Sequence, residues 1–243
     1  TEVAKDASDF ILLDDSFTHI VNAIEEGRGI YDNIQKSIML LLSGNLGEVL
    51  IIFLAALFGM NLPLTAILLL WINLVTDGAP ALAYSVDPYG TDIMHRLPKP
   101  HAEGILPLPK LLLLGMFGLL SAVIALTLFY FSGGTSSSPA QLVYAQTMVF
   151  NFVVLYQVVL IFFIRWSYRV PLFCNRWVWG AALLALLLQG GLMYTDLSSV
   201  FKIVPLAGVD LIQVFAAAAI FLVCGIVVQV VVDRKRRGLA VNQ

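Results

Sequence analysis

The chain has 243 residues, 59% of them hydrophobic and only 12% charged, with a formal net charge of −2 at pH 7. A mean hydropathy of +0.88 lies far from the balance of a soluble domain and excludes that class. The small net charge discriminates little, because in a membrane chain it averages over two compartments; no nucleic-acid partner is expected.

Residues 1–37 form the polar segment. Phe10-Ile11-Leu12-Leu13 is a short apolar run closed by Asp14-Asp15-Ser16, the pattern of a strand leaving into a turn. Ser16 is placed to cap a helix whose apolar positions Ile20, Val21, Ile24 and Ile30 recur at roughly helical spacing. From Ile34 the helical pattern runs into the first apolar stretch without a breaker, which predicts a continuous lever from the aqueous phase into the membrane. Thirty-seven residues are too few for a core of their own, so this segment is expected to pack on other material. No short apolar core with a cleavage site opens the chain, so no signal peptide is expected. The first residue is Thr rather than Met, which points to a processed product or to a piece of something longer.

Residues 38–243 supply six stretches long enough to cross a hydrocarbon core of ~30 Å: 38–59, 62–86, 108–131, 142–164, 177–195 and 210–232. The fold class is therefore an all-α membrane protein, a six-helix transmembrane bundle with a short N-terminal cytoplasmic α/β remnant. With both termini cytoplasmic, thirteen basic residues fall on the cytoplasmic side and only Lys202 on the other, the asymmetry that the positive-inside rule requires. The connector 87–107 is Pro-rich and basic, hence semi-rigid. Residues 132–138 are a flexible low-complexity loop, and Asp233-Arg234-Lys235-Arg236-Arg237 is an anchor beside anionic lipid. Cys174 and Cys224 fall in a loop and a span, which argues against a disulfide framework. No internal repeat is evident, which counts against a secondary transporter built from inverted repeats.

Two acids, Glu48 and Asp77, lie inside the apolar runs. A carboxylate at membrane depth costs at least ~2.5 kcal/mol on insertion scales. Each has an amide one turn earlier: Asn45 three residues before Glu48, and Asn73 four before Asp77, so each pair shares a helix face. Thr76 adds a hydroxyl or a carbonyl. Pro80 cannot donate to the carbonyl of Thr76 and crowds it, which frees backbone oxygen beside Asp77. Such a set suits a hard cation, which takes six to eight oxygens. A single buried amide or hydroxyl is commonly helix–helix glue, and a lone acid can serve as a proton relay; two acids on consecutive spans, each with an amide, favour a cation site. Gln157 in the fourth span reads equally as ligand or structural group, and Asn151 as structural. The three histidines show no ligand pattern.

Ser43-Gly44-Asn45-Leu46-Gly47-Glu48-Val49 and Leu70-Trp71-Ile72-Asn73-Leu74-Val75-Thr76-Asp77-Gly78-Ala79-Pro80-Ala81 closely resemble two core helices of P-type cation-transporting ATPases of the calcium-pump-like branch. Residues 2–9 with Asp14-Asp15-Ser16-Phe17 look like the end of that family's phosphorylation domain. Gly27-Arg28-Gly29-Ile30-Tyr31-Asp32-Asn33-Ile34 resembles its stalk entry, and Asp87-Pro88, Asp92-Ile93-Met94 and Arg96 its following loop. The resemblance implies that the six spans are the last six of a pump and that Asn45, Glu48, Asn73, Thr76 and Asp77 are its ion ligands. Gln157 stands where two-ion calcium pumps use an acid, so a one-ion Ca²⁺ or Mn²⁺ pump fits, with a monovalent-cation pump as the alternative. The phosphorylation sequence and the ATP-binding motifs are missing from residues 1–243. ATP and Mg²⁺ would then act only through absent cytoplasmic domains, the implied partners being the nucleotide-binding, phosphorylation and actuator domains, the first four spans, and membrane lipid. The expected location is the plasma membrane, as a multi-pass protein. A stand-alone, non-enzymatic ion-binding or regulatory module is the other reading.

Overall fold

The structure is a computed structural model that describes residues 2–8, 11, 16–98 and 104–241. In chain order the helices are α1 (Glu2–Asp6), α2 (Phe17–Leu57), α3 (Ala66–Ile72), α4 (Gly78–Tyr84), α5 (Leu108–Phe131), α6 (Pro139–Ser167), α7 (Arg176–Tyr194), α8 (Leu197–Phe201) and α9 (Gly208–Val241). A π-helical turn, Asn73–Asp77, joins α3 to α4, so that Ala66–Tyr84 makes one interrupted span. Among the described residues six helical spans are long and apolar enough to cross a membrane, as the hydropathy pattern predicts, and the chain is an integral multi-pass membrane protein. No strand occurs among the described residues. Of the strand expected over 10–13, only Ile11 is described, in no regular element; the rest lies outside the described residues.

Local sequence sets the helix ends. Ser16 occupies the N-cap position of α2 in extended backbone, its side chain making no cap hydrogen bond to the first turn, and α2 runs unbroken for 41 residues, about 60 Å at 1.5 Å per residue. The expectation of a helix that runs into the first apolar stretch without a break therefore holds. Prolines stand in the first turns of α5 and α6, where a missing N–H costs nothing. Asn175 caps α7, its Oδ1 accepting from the amides of Trp177 at 2.9 Å and Val178 at 3.4 Å.

The most deeply buried span is α6, with α2, α5, α7 and α9 arranged around it. Phe117 of α5 stacks on Phe163 of α6 at 5.2 Å between ring centroids, and Phe221 of α9 lies 5.2 Å from Tyr156. Between α2, α5 and α6 the backbone approach demands glycine. A Cβ on Gly47 would stand 2.6 Å from the Tyr156 hydroxyl and 2.7 Å from Ser121 Oγ.

The bundle has one basic end, where α2 enters. There the connector after α4 is pinned to α2. Arg28 donates to the carbonyls of Ile93 and Arg96 at 2.9 and 3.0 Å, and Arg96 bridges Asp32 at 2.6 Å and Asp92 at 2.7 Å. Burial alone would raise the Asp92 carboxyl, but the Arg96 guanidinium beside it holds it below the usual carboxylate value. At the opposite end Asn61 donates to the carbonyls of Gly134 and Ser136 at 2.9 and 3.1 Å, tying down a loop whose composition predicts freedom.

The glycine contact gives a stability prediction. Gly47→Ala overpacks the α2–α5–α6 junction and costs about 1–3 kcal/mol. Gly115→Ala, which meets nothing within 4 Å, leaves stability unchanged or slightly raised. Melting of the two purified variants in detergent checks this; equal melting temperatures would refute the packing argument.

Candidate cation site

Glu48, Thr76, Asp77 and Gln157 converge midway along the bundle, from α2, the π-helical turn and α6. All four are buried: Glu48 is 4% exposed, Thr76 and Asp77 2% and Gln157 1%. Glu48 is held by two amides. Asn73 Nδ2 donates to Oε2 at 3.0 Å, and Gln157 Nε2 donates to Oε1 at 3.1 Å. Thr76 Oγ1 sits 2.6 Å from the carbonyl of Ile72 and also bonds Gln157 Oε1. Gln157 thereby links Glu48 of α2 to Thr76 of the second span.

Asp77 stands apart from this network. Neither of its buried carboxylate oxygens has a hydrogen-bond partner. Each unsatisfied, desolvated charge of this kind is costly, and two carboxylates in one low-dielectric site repel as well. The pair needs a counter-charge, supplied by a cation or by protons.

The approach to Asp77 is made by Gly44. A Cβ there would lie 3.0 Å from Gln157 Nε2 and 3.4 and 3.5 Å from the two Asp77 oxygens. Any larger residue would fill the space beside the free carboxylate. The Tyr156 hydroxyl lies 3.4 Å from the Gly44 carbonyl and closes the same corner from α6. Neither Gly44 nor Tyr156 is suggested by a chemical motif. The usable signal for Gly44 is its spacing, four residues before Glu48.

The backbone contributes too. Pro80 predicts disturbed backbone near Thr76, and the structure places a π-helical turn over Asn73–Asp77, immediately before Gly78. Such turns recur at functional sites because they misalign the i→i−4 ladder and turn side chains together. Here the turn helps put Asn73, Thr76 and Asp77 toward α2 and α6.

Two expected ligands sit differently from the rest. Asn73 is exposed on one side yet bonds Glu48, as well as the Leu69 carbonyl at 2.9 Å. Asn45 lies on the exposed face of α2, in line with Val49 (60% exposed) and Phe53 (59%), and is not drawn into the Glu48–Asp77 cluster. Leu74 (71%) and Leu82 (74%) of the second span are exposed as well. Asn151 has the structural place expected of it. It donates to the Thr147 carbonyl at 2.8 Å and accepts from Gln189 at 3.1 Å, while Trp71 donates to Gln189 Oε1 at 3.0 Å.

Residues 61–231 match the family described as "Cation transporting ATPase, C-terminus". The chain belongs to this family. Among similar proteins, the "Calcium-transporting ATPase" of Bacillus subtilis (strain 168) is 37% identical over 235 residues, covering 93% of this chain and 26% of that protein. The "Calcium-transporting ATPase 1" of Bacillus cereus is 40% identical over 206 residues, 78% of this chain and 23% of that protein. The "Endoplasmic reticulum calcium ATPase srcA" of Aspergillus fumigatus reaches 52% identity over 103 residues, 42% of this chain and 11% of that protein. The chain thus spans about a quarter of the length of the two bacterial relatives. Asn73, Thr76, Asp77 and Gln157 fall within the matched residues 61–231, and Glu48 precedes them.

A buried carboxylate without partners is a liability for the cation-free fold. Asp77→Asn therefore raises the melting temperature of the purified protein in excess chelator, and Asp77→Leu raises it further. A drop in melting temperature for both variants would show that Asp77 is held by interactions other than those described.

Proposed function

We propose that the chain is the ion-binding and translocating membrane segment of an ATP-driven pump for Ca²⁺, with Mn²⁺ as the neighbouring divalent choice. The observation that carries the proposal is the buried, unpartnered Asp77 carboxylate beside Glu48. The names of the three relatives, all calcium ATPases, support the same reading.

In this reading Glu48 and Asp77 supply the charge, and Thr76, Asn73 and Gln157 supply neutral oxygens. With the ion absent, Asn73 and Gln157 turn their N–H₂ groups to Glu48. With the ion bound, each amide presents its oxygen instead, a simple reversal of the side-chain amide. Asn45 joins from the open face of α2 once the pump's remaining spans cover that side. The neutral Gln157 limits the site to one divalent ion per cycle.

The basic end of the bundle is the cytoplasmic end and the host is the plasma membrane. ATP and Mg²⁺ act through nucleotide-binding, phosphorylation and actuator domains beyond residues 1–243. The unbroken α2 carries their movement to Glu48.

In the intact pump, equilibrium binding of radioactive Ca²⁺ gives one ion per phosphorylation site. Asp77→Asn weakens that binding by at least ~100-fold, or about 2.7 kcal/mol, and removes cation-dependent phosphoenzyme. Unaltered cation dependence in Asp77→Asn would end the proposal. Gly44→Val fills the space beside Asp77 and also weakens binding, while Gly115→Val does not.

A further inference from the structure

A second polar cluster lies closer to the basic end of the bundle, at the level of Lys36, Asp87 and Arg165. All three side chains are buried: Lys36 is 1% exposed, Asp87 0% and Arg165 0%. Lys36 Nζ lies 2.6 Å from Asp87 Oδ2, and Arg165 Nε 3.2 Å from Asp87 Oδ1. Asn175, the α7 cap, donates to the same carboxylate at 2.9 Å. Asn33 of α2 donates to the Asp87 carbonyl at 2.8 Å, and Lys36 is 3.5 Å from the Pro88 carbonyl. The second cation is satisfied elsewhere as well: Arg165 donates to the carbonyls of Leu172 and Pro171 at 2.7 and 2.9 Å and meets Cys174 Sγ at 3.2 Å.

The helices that carry this cluster are those that carry the candidate cation site. Lys36 is on α2 with Glu48, and Asp87 directly follows the span that holds Asp77. Arg165 is on α6 with Gln157. Along α2 the interval from Lys36 to Glu48 is about 18 Å, and along α6 from Gln157 to Arg165 about 12 Å, at 1.5 Å per residue. Each helix is therefore held twice, once by ligand groups and once by ions.

We propose that Asp87 is a positioning residue for the ion site: it pins the α2 lever to α6 and to the second span, and so sets where Glu48 stands relative to Asp77 and Gln157. The inference rests on the cation-site reading above. Lever geometry gives the reason. A tilt of about 5° about Lys36 moves Glu48, about 18 Å away, by roughly 1.5 Å. That displacement takes a 3.0 Å hydrogen bond beyond bonding range. Without the pin at Lys36, movement of the exposed part of α2 would slide or splay the helix. With the pin, the same movement becomes rotation about a fixed point and reaches Glu48 as a change in ligand position. Buried ion pairs add little net stability, but removing one partner is severe. This combination suits a device whose use is register.

The experiment uses the intact pump in native membranes, with Ca²⁺ as the probe. It compares Asp87→Asn, Lys36→Met and the site control Asp77→Asn. The expected result for Asp87→Asn is about a tenfold rise in the Ca²⁺ concentration for half-maximal phosphoenzyme, or about 1.4 kcal/mol, with maximal turnover kept within about twofold of wild type. Lys36→Met keeps Asp87 paired with Arg165 and Asn175, so it folds and shifts half-saturation in the same direction by less. Should Asp87→Asn fail to accumulate, Lys36→Met decides alone. Reduced amount or melting temperature with unchanged half-saturation makes the cluster merely structural and overturns the proposal. Asp77→Asn separates the two ideas. If it keeps its Ca²⁺ dependence, the cation site itself is wrong; if it loses Ca²⁺ while the Asp87 and Lys36 variants match wild type, only the positioning role fails.

Discussion

A carboxylate without a partner is hard to keep in hydrocarbon, and this bundle keeps one. The neighbouring polar groups are arranged around that constraint. Glu48 is satisfied by Asn73 and Gln157, and Asp87 by a lysine, an arginine and an amide. Gln189 is shared between Trp71 and Asn151. Asp77 alone among these carboxylates has neither oxygen bonded. Gly44 keeps α2 close without a side chain in the way, and the π-helical turn sets the acid toward α6. In the proposed function, the compensation for this unpaired group comes from the bound cation.

The bundle answers in two tiers. The inner tier holds charge that calls for a cation, while the tier nearer the basic end holds two cations around one anion. Because the same helices connect them, a shift in one tier cannot be local. The unbroken α2 is stiff enough to transmit tilt, and glycines on its inner face let it lie flush against α5 and α6. Stiffness without a fixed point would give only rigid drift. The ionic tier supplies that point in the geometry described, and the polar links at the far end, such as Asn61 to Gly134 and Ser136, hold the hairpin after α2 in turn.

How much of this is legible from residues alone depends on sequence distance. The spans are legible because each is a contiguous apolar run, and Glu48 and Asp77 stand out because they violate it. Spacing pairs Asn73 with Asp77 on one helix face, whereas in the structure the Asn73 amide reaches across to Glu48 of α2. Pro80 signals disturbed backbone, but the disturbance takes the form of a π-helical turn on its N-terminal side. Asn45 shows the limit of spacing arguments. At about 100° per residue, Gly44 lies roughly 40° from Glu48 on one side and Asn45 roughly 60° on the other. Asp77 packs on the Gly44 side, so the glycine rather than the amide faces the acid. The ionic tier is illegible for another reason: its members are separated by 51 and 78 positions, and Lys36 and Arg165 read as ordinary positive-inside residues until the packing buries them.

In the proposed function, charge balance ties these features to the ion. Two carboxylates meet one divalent cation with no net charge left in the low-dielectric centre. A second divalent ion would leave an uncompensated double charge, whose desolvation the neutral Gln157 cannot offset. An acid at position 157 would change that balance. It would also remove the amide that donates to Glu48 and accepts from Thr76, loosening the link between α2 and the second span when no ion is present. Under the proposed function the neutral residue serves both states: it restricts the site to one divalent charge when occupied and links the helices when empty. In the proposed cycle, the selectivity of the site and the stability of its cation-free form depend on the same side chain.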